Sequence, residues 1–556
     1  MRANWLKIVL SIMLIIVLLL FGFNVFKNIA YPLLWNDESE TVMLAQRIRT
    51  FGYPKIHDGK NVIYQLNNPD LSLGAWSKYD AYISSGWLQY YFATLGSKWA
   101  DASNDIYQKT ARQRIPFAIL GFTGILLIGL LMTSALSKKK EKIIAFTLFI
   151  LLESLSIPLL LHLRQARYYP LLLFLIALTL LAYTAYTKTS QGLQRWSYSL
   201  ALIFLLVLIF NTFWPAYFSL LLALGLYTLY RSYRQTIGQN KKTSLKKILV
   251  NLLPIIVSAI TAIPLALFYK IFAISHASSV QFSYSIKDYL ARINQMTGYF
   301  FKHEALYLLI ILGAIMIGLW LYSKRQKQDL SKIQNSLQLV SLLGLFFICH
   351  TLFISLDPYF FERYYFFLQP LITVMTILCV YISWQLIKNL HYHYPVIIIQ
   401  KTFLVLVITL FILAMLPRLP YLQNYAFELS HQYKGALDYA IPYIKENFTH
   451  PENLVIATNY DEMAYMYYLG SKTTIGFVGD NLQDDIKYQP DIIIYRKSWS
   501  NNTQIFNYLI QRAEYKKISL PIYDYAYNTI PEIDSHPFRT ITTDNPKQLL
   551  DIFIKQ

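Results

Sequence analysis

Long apolar runs recur along this chain of 556 residues, and each is close to the roughly 20 residues that a helix needs to cross a bilayer. Hydrocarbon offers no water to backbone N–H and C=O groups, so such runs must fold as helices. Only 15% of the residues are charged, against about 25% in soluble proteins. We therefore predict a polytopic α-helical membrane protein with about eleven spans. The predicted spans lie at 6–26, 113–136, 142–162, 166–186, 197–211, 213–231, 248–274, 304–323, 335–356, 364–387 and 397–416.

The fifth and sixth of these spans meet at the sequence NTFWP, residues 211–215. They form either two short helices hinged at this sequence or one long, kinked helix. Pro215 favours a break, because proline removes a backbone donor and clashes with the preceding turn.

Basic residues concentrate in alternate loops between the apolar runs. These loops contain SKKKEK, TKTSQGLQR, RSYRQTIGQNKKTSLKK, SKRQKQDLSK and, more weakly, KNLHYHYP. Cytoplasmic loops of membrane proteins carry an excess of Lys and Arg, so topology explains the net charge of +19 better than nucleic-acid binding does. The pattern predicts a cytoplasmic N-terminus. Loop 27–112 and the residues after 416 are then predicted to lie on the opposite, periplasmic or extracellular side.

The tail, residues 418–556, is more polar and mixed in charge than the rest of the chain. Short buried strands are predicted at 453–459, 473–478 and 491–497. They alternate with helical patterns, which indicates a small α/β domain. We expect a transmembrane domain at 1–417, including outer loop 27–112, and an extracytoplasmic, periplasmic domain at 418–556.

Three acidic residues stand just after the first apolar run, in YPLLWNDESETVMLAQRI, residues 31–48. One interpretation is a helix cap, in which Asp37 caps the helix and Glu40, three residues later, reaches back to it. A cap does not explain Glu38, and adjacent helical side chains point about 100° apart. The other interpretation is the start of an active site, where one of the two neighbouring acids addresses a substrate and the other holds structure or a cation.

Two arginines lie between predicted spans in HLRQARYYP, residues 162–170. They stand on the side where the distribution of basic loops disfavours positive charge. Arg164 and Arg167 either anchor the chain by snorkelling to the interface or bind an anion. Because they are three residues apart, we expect them to share a helix face, where two planar guanidiniums make a phosphate clamp.

A second charged group precedes the tenth span, in LDPYFFERYYFFLQP, residues 356–370. Glu362 and Arg363 either form a local ion pair or supply another cation for the same anion. Tyr168 and Tyr364 stand beside the arginines and are predicted to bind the substrate. Ionisable residues at a membrane edge are functional candidates, so we predict that acids and arginines from separate segments meet at one face of the bundle.

A series of motifs from the first span to the tail carries a family resemblance. The pair Asp37–Glu38 follows the first span, and FGYPKIHDGKNV comes next. RIPFAILGFTGIL, RQARYYPLLLFLIAL, FERYYFFLQPLITV and, in the tail, IPEIDSHPF follow in order. In this order they resemble the bacterial family-39 glycosyltransferases of GT-C fold, which are akin to protein O-mannosyltransferases and the lipid A aminoarabinose transferase. One departure is residues 79–96, YDAYISSGWLQYYFATLG, where many relatives carry His-Pro-Pro-Leu; it concerns the acceptor more than the reaction.

The resemblance implies a sugar donor linked to polyprenyl phosphate, attack by an acceptor hydroxyl, and inversion at the anomeric carbon. Asp37 matches the catalytic position of the family and would take the hydroxyl proton, while Glu38 would orient the acceptor or hold the cation. Arg164, Arg167 and Arg363, in that order, would stabilise the departing lipid phosphate. The sugar, and whether the acceptor is a lipid, a glycan or a protein, stay open.

The resemblance also suggests a divalent cation (Mg²⁺, Mn²⁺ or Zn²⁺), which Asp37 and Glu40 would bind. It favours a bacterial inner (plasma) membrane location. A transporter or flippase of lipid-linked saccharides is the alternative function, since it would grip the same phosphate without transfer chemistry; a structural assembly protein is a third. Transporters usually show internal repeats and broken helices near the midplane, and neither pattern is evident in the sequence.

Overall fold

A computed structural model describes residues 2–63, 81–189, 192–236, 241–271, 285–357, 360–389, 396–476, 486–499, 503–525 and 530–556. In these ranges the first ten helices are α1 Arg2–Phe26, α2 Asn36–Phe51, α3 Leu88–Ala100, α4 Ile106–Ser134, α5 Lys139–Glu153, α6 Ile157–Leu163, α7 Tyr168–Lys188, α8 Leu193–Phe210, α9 Trp214–Thr236 and α10 Lys241–Phe268. The following helices are α11 Ile286–His303, α12 Leu306–Arg325, α13 Gln334–Ile354, α14 Gln369–Lys388, α15 Val396–Met415, α16 Leu419–Ser430, α17 Leu437–Asn447, α18 Glu462–Leu469 and α19 Thr503–Gln511.

Nine helical segments of the described chain are long and apolar enough to cross a membrane, or ten if one bent pair counts as a span. They are Ile8–Phe26, Ile106–Ser134, Tyr168–Lys188, Leu193–Phe210, Leu245–Phe268, Leu306–Arg325, Ser331–Ile354, Phe366–Lys388 and Val396–Ser430. The predicted span 213–231 forms helix α9, which is not among these segments. The count of about eleven is therefore higher than length and composition support. The predicted break at NTFWP is confirmed, because α8 ends at Phe210 and α9 begins at Trp214.

The bent pair corresponds to the predicted span 142–162. Helices α5 and α6 meet at an angle of 79°, and Pro158 stands in the first turn of α6. Proline is tolerated there because a first-turn N–H has no partner within its helix. The side-chain amide of Asn24 donates to the Ser154 carbonyl at 2.9 Å, which satisfies a backbone group at the break.

Two glycines let α4 pack closely against the segment around α7. A Cβ on Gly124 would lie 3.0 Å from the Phe174 nitrogen, and one on Gly121 would lie 2.7 Å from Leu163 Cδ2. Larger residues would push these segments apart. The close approach therefore fixes α4 against the turn between α6 and α7, which carries the predicted arginines.

The tail contains a five-stranded sheet. Its strands are β1 Val455–Thr458, β2 Lys472–Ile475, β3 Ile492–Ile494, β4 Tyr515–Tyr523 and β5 Leu549–Lys555, in the order β2-β1-β3-β5-β4. Strand β1 pairs in parallel with β2 and β3, whereas β5 pairs antiparallel to β3 and β4. The three predicted strands and the α/β class of the tail are confirmed; β4 and β5 were not predicted.

The tail packs against the segment that follows α1. One buried cluster combines apolar side chains of α2 and α3 with those of α17, α18 and the sheet. The Asp438 carboxylate accepts the Leu33 N–H at 3.2 Å, and Asn61 bonds to the backbone of Ser471 and Thr473. The predicted boundary after residue 417 falls inside the helical run Val396–Ser430, and the division into two domains stays a prediction.

Candidate active site

Helix α2 places Asp37 at the end of the bundle that meets the tail. The helix begins at Asn36 after the extended N-cap residue Trp35, whose own side chain makes no capping hydrogen bond. Asp37 lies in the first helical turn, so the helix-cap interpretation is wrong. The indole N–H of Trp35 donates to Gln165 Oε1 at 2.8 Å, which ties the start of α2 to the turn between α6 and α7.

Arg167 is the N-cap residue of α7, and its side chain reaches α2. Its Nη1 donates to the Asp37 carbonyl at 3.1 Å, to Glu40 Oε1 at 2.9 Å and to Thr41 Oγ1 at 3.0 Å. Its Nη2 lies 3.8 Å from Asp37 Oδ2. The guanidinium is therefore held by α2 while it faces the Asp37 carboxylate.

Arg363 approaches Asp37 from another part of the chain. It lies in the 3₁₀ turn Glu362–Tyr364, and its Nη1 is 3.8 Å from Asp37 Oδ2. The guanidinium carbon lies 4.1 Å from the centre of the Phe361 ring and 5.8 Å from that of Trp35. The structure thus brings Asp37, Arg167 and Arg363 together, although more than three hundred residues separate the first from the last.

Arg164 has a different environment. It follows the last residue of α6, and Arg167 precedes α7, so the two arginines do not share a helix face as predicted. Arg164 Nη2 donates to the carbonyls of Lys27 and Asn28 at 2.8 and 2.9 Å, and its Nη1 to Tyr425 Oη at 3.2 Å. These bonds fasten the segment after α1 to α6 and α16, and no contact with Asp37 is found among the described residues.

Glu38 is fully buried and pairs with Arg114. Its two carboxylate oxygens accept from Arg114 Nε and Nη2 at 2.8 and 2.5 Å, and Oε1 also accepts the Ala166 N–H at 2.7 Å. Arg114 donates further to the Ile29 and Pro32 carbonyls. This network joins α2, α4 and the turn before α7. The predicted role in orienting an acceptor or holding a cation does not match this placement.

Glu40 is also buried, and it supports Arg167. Besides Arg167, its Oε1 accepts the Tyr90 hydroxyl at 2.7 Å. Within the described ranges no group of three or more His, Cys, Asp or Glu side chains is arranged to hold a metal ion. Asp37 and Glu40 both lie beside the Arg167 guanidinium, and the divalent cation expected at these two residues stays a prediction.

The rings of Tyr168 and Tyr364 both pack against the ring of Phe213. The ring centres of Tyr168 and Phe213 are 5.0 Å apart, and those of Phe213 and Tyr364 are 5.4 Å apart. The Tyr168 hydroxyl is buried without a hydrogen-bond partner in the described part of the chain, and the Arg167 guanidinium lies 5.9 Å from its ring centre. The two predicted substrate residues thus form one aromatic wall beside the arginines.

The sequence analysis did not identify Glu532 as a site residue. Its Oε1 lies 3.5 Å from Arg363 Nη1, and burial raises the pKa of its carboxyl group. Glu362, next to Arg363, accepts the backbone N–H groups of Ile533 and Asp534 at 2.8 and 3.3 Å. Glu532 lies in the tail motif IPEIDSHPF, so the family resemblance of that motif is the sequence signal that could have identified it.

Solved structures with similar folds include two kinds of protein. ArnT from Cupriavidus metallidurans in the apo state has a TM-score of 0.50 at 13% identity, and the match covers 94% of this chain and 97% of ArnT. The apo oligosaccharyltransferase of Archaeoglobus fulgidus has a TM-score of 0.52 at 11% identity, with 92% of this chain and 69% of the other covered. The oligosaccharyltransferase AglB of the same organism, in complex with an inhibitory peptide and a dolichol-phosphate, has a TM-score of 0.50 at 11% identity, with 95% and 71% covered. The chain has the GT-C fold.

This GT-C chain is a multi-pass membrane protein with a small sheet domain in its tail. No protein-family model matches it, and no curated protein matches it. At 11–13% identity the likeness establishes the fold, and the activity has to be argued from the site.

The buried position of Glu362 predicts that the stability of the protein depends on pH. Burial, together with the nearby Glu532 and Asp534 carboxylates, raises the pKa of Glu362 from 4.5 to about 8. Between these values the unfolded chain holds fewer protons than the folded one, so stability falls as pH rises through this window. We expect a lower unfolding temperature at pH 8 than at pH 5.5, measured in detergent, and a smaller difference in Glu362→Gln. An equal pH difference in both proteins would contradict this assignment.

Proposed function

We propose that this protein is a membrane glycosyltransferase that moves a sugar from a polyprenyl-phosphate donor to a hydroxyl acceptor, with inversion at the anomeric carbon. The observation that carries the proposal is the position of the Asp37 carboxylate, 3.8 Å from guanidiniums of both Arg167 and Arg363, on a GT-C fold. A base beside two cations suits a reaction in which a hydroxyl loses a proton while a phosphate leaves.

Asp37 is the proposed general base. Its side chain is 17% exposed, whereas Glu38 and Glu40 are buried and hydrogen-bonded to arginines. Of these three acids it is therefore the one a substrate can reach. A hydroxyl is a poor nucleophile, and a carboxylate within hydrogen-bond reach takes its proton as the new bond forms.

Arg363 and Arg167 are the proposed phosphate ligands. The leaving group is a lipid phosphate, which needs positive charge as the glycosidic bond breaks. The contacts of Arg363 with Asp37 and Glu532, at 3.8 and 3.5 Å, are longer than the ~2.8 Å of a tight charged hydrogen bond. Arg363 can therefore turn to a phosphate at low cost, whereas Arg167 is held by Glu40. Arg164 already donates to two backbone carbonyls. As candidate phosphate ligands, the geometry therefore supports the order Arg363, Arg167, Arg164, the reverse of the predicted one.

Similar proteins support this class of donor. The AglB structure contains a dolichol-phosphate, a phosphate on a long isoprenoid chain. We infer a donor of the same chemical class here. We assign neither the sugar nor the choice among lipid, glycan and protein acceptors, and a divalent cation at Asp37 and Glu40 stays a prediction.

The proposed orientation puts the N-terminus in the cytoplasm and the tail with Asp37 on the periplasmic side of a bacterial inner membrane. The basic loops support it. Single cysteines placed at exposed Lys324 and at exposed Lys516 test it with a membrane-impermeant thiol reagent in intact cells. We expect labelling at 516 and protection at 324, and the reverse pattern would contradict the orientation.

Truncation of Arg363 tests the phosphate assignment. We expect Arg363→Ala to lower kcat/KM for transfer about 10²-fold, because one preorganised donor to the leaving group is lost. Arg363→Lys keeps the charge but loses the planar fork, so it should recover part of the activity. Binding of a polyprenyl phosphate should weaken in the same order. Equal donor binding and equal rates in all three proteins would remove Arg363 from the phosphate site.

The function itself is tested by mass spectrometry of envelope lipids and glycans from cells with and without the protein. We expect one glycan or lipid to lose a sugar when the protein is absent. Purified protein in liposomes with a polyprenyl-phosphate sugar separates transfer from transport. Movement of the donor across the bilayer without a glycosylated product would favour the transporter.

A further inference from the structure

A cavity of about 810 Å³ lies far from Asp37, between α7, α8, α9 and α10. Helix α7 sets the distance, because Arg167 precedes its first residue and the cavity residue Lys188 is its last. At 1.5 Å per residue these positions are about 30 Å apart, the thickness of the hydrocarbon core. The cavity therefore opens at the other end of the helix bundle.

The cavity walls are strongly basic. Among the described lining residues five are cationic and none is acidic; the cations are Lys188, Arg195, Arg231, Lys246 and Lys247. Like charges brought around one space repel one another unless an anion lies between them. Membrane topology explains basic loops, but it does not explain why cations from four helices line one cavity.

Arg195 is held in place for such an anion. Its Nη2 donates to Asn251 Oδ1 at 2.5 Å and to Tyr186 Oη at 3.1 Å, and its guanidinium lies 4.7 Å from the Tyr186 ring centre. Asn251 in turn donates to Ser232 Oγ at 2.8 Å, and Ser232 is 1% exposed. On the facing wall Arg231 Nη2 donates to the Thr187 carbonyl at 2.9 Å. Polar contacts therefore fix both arginines before any ligand arrives.

Some side chains that line the cavity are apolar and exposed. Val250 and Trp196, both lining residues, are 49% and 60% exposed, and each lies within a helix that qualifies as a span. A ligand with a charged head and an apolar tail would match both surfaces.

We propose that this cavity binds the phosphate headgroup of an anionic phospholipid, whose acyl chains lie along α8 and α10. Basic pockets between transmembrane helices bind such headgroups. The shared chemistry is a phosphate ester. The lipid is favoured over a soluble phosphate because the cavity opens next to helices that face hydrocarbon.

Native mass spectrometry of the full-length protein, titrated with phosphatidylglycerol or phosphatidylcholine, tests this site. We expect phosphatidylglycerol to bind more tightly, and Lys246→Gln/Lys247→Gln to weaken it about tenfold or more. Both lysines are exposed, so the fold should persist. The matched control is Lys324→Gln/Arg325→Gln, which removes the same charge from exposed residues of α12 and should bind like wild type.

Three results would overturn the proposal. The first is equal affinity for the two lipids. The second is equal loss of binding in the cavity variant and the control variant, which would indicate a general charge effect. The third is full competition by millimolar inorganic phosphate without any preference for phosphatidylglycerol, which would assign the cavity to a soluble anion. Arg231→Gln gives an independent variant and is expected to weaken phosphatidylglycerol binding without changing phosphatidylcholine binding.

Discussion

Asp37→Asn is expected to lower the rate of sugar transfer about 10³-fold while leaving the protein folded. General-base catalysis by a positioned carboxylate contributes roughly 10²–10⁴ to a rate, and an amide cannot take a proton from the acceptor. The substitution keeps the size of the side chain. In the described part of the chain the ion pairs of Asp37, with Arg167 and Arg363, are long, at 3.8 Å, so we expect little stability to depend on its charge. The measurement is initial rate with a polyprenyl-phosphate sugar, in protein matched for expression and unfolding temperature.

Asp101, which lies with Asp37 in the outer loop 27–112, provides a matched control. Asp101 is exposed and pairs with Arg49, so Asp101→Asn removes the same charge and should transfer sugar like wild type. Donor binding should persist in Asp37→Asn, because the arginines remain. Near-normal transfer by Asp37→Asn, with protein levels unchanged, would show that another group is the base.

Glu38→Ala is expected to destabilise the protein by about 3–5 kcal/mol, the usual cost of leaving one partner of a buried ion pair without the other. Glu38 is 0% exposed, and its loss strands the Arg114 guanidinium and the Ala166 N–H. The turn before α7 would lose one of its connections to α2, next to Arg167. We therefore expect a lower unfolding temperature together with lower activity.

The double variant Glu38→Ala/Arg114→Met separates a structural role from a catalytic one. Replacing both buried charges removes the unpaired cation, and such replacements are often neutral or stabilising. We expect the double variant to regain most of the unfolding temperature and part of the activity. If stability returns fully and transfer stays abolished, Glu38 acts on a substrate, as the sequence analysis first had it.

Single segments of sequence were sufficient to predict most of the spans. The length of each apolar run fixes where helices form, because backbone groups in hydrocarbon must bond internally. Length and composition support nine or ten spans in the described residues rather than about eleven, because α9 does not qualify. The short strands of the tail were also visible, as apolar runs between turns. Strands β4 and β5 carry alternating or mixed residues, and β4 pairs with β5 at the edge of the sheet.

The arginines illustrate what spacing cannot predict. Arg164 and Arg167 were expected on one helix face, but the helix stops between them. The Arg164 guanidinium donates to backbone carbonyls, whereas the Arg167 guanidinium lies beside the Asp37 carboxylate. Glu532, near the end of the tail, lies beside Arg363, and no local sequence pattern predicts that contact.

The sequence by itself determined that the chain crosses a membrane many times, and that an acidic segment follows its first span. It did so because hydrocarbon imposes length and composition on each span separately. Only the tertiary structure decided which charges meet. Adjacent acids took opposite roles, Glu38 inside the bundle and Asp37 beside two arginines, because successive helical side chains point in different directions and the packing of distant segments chooses their partners.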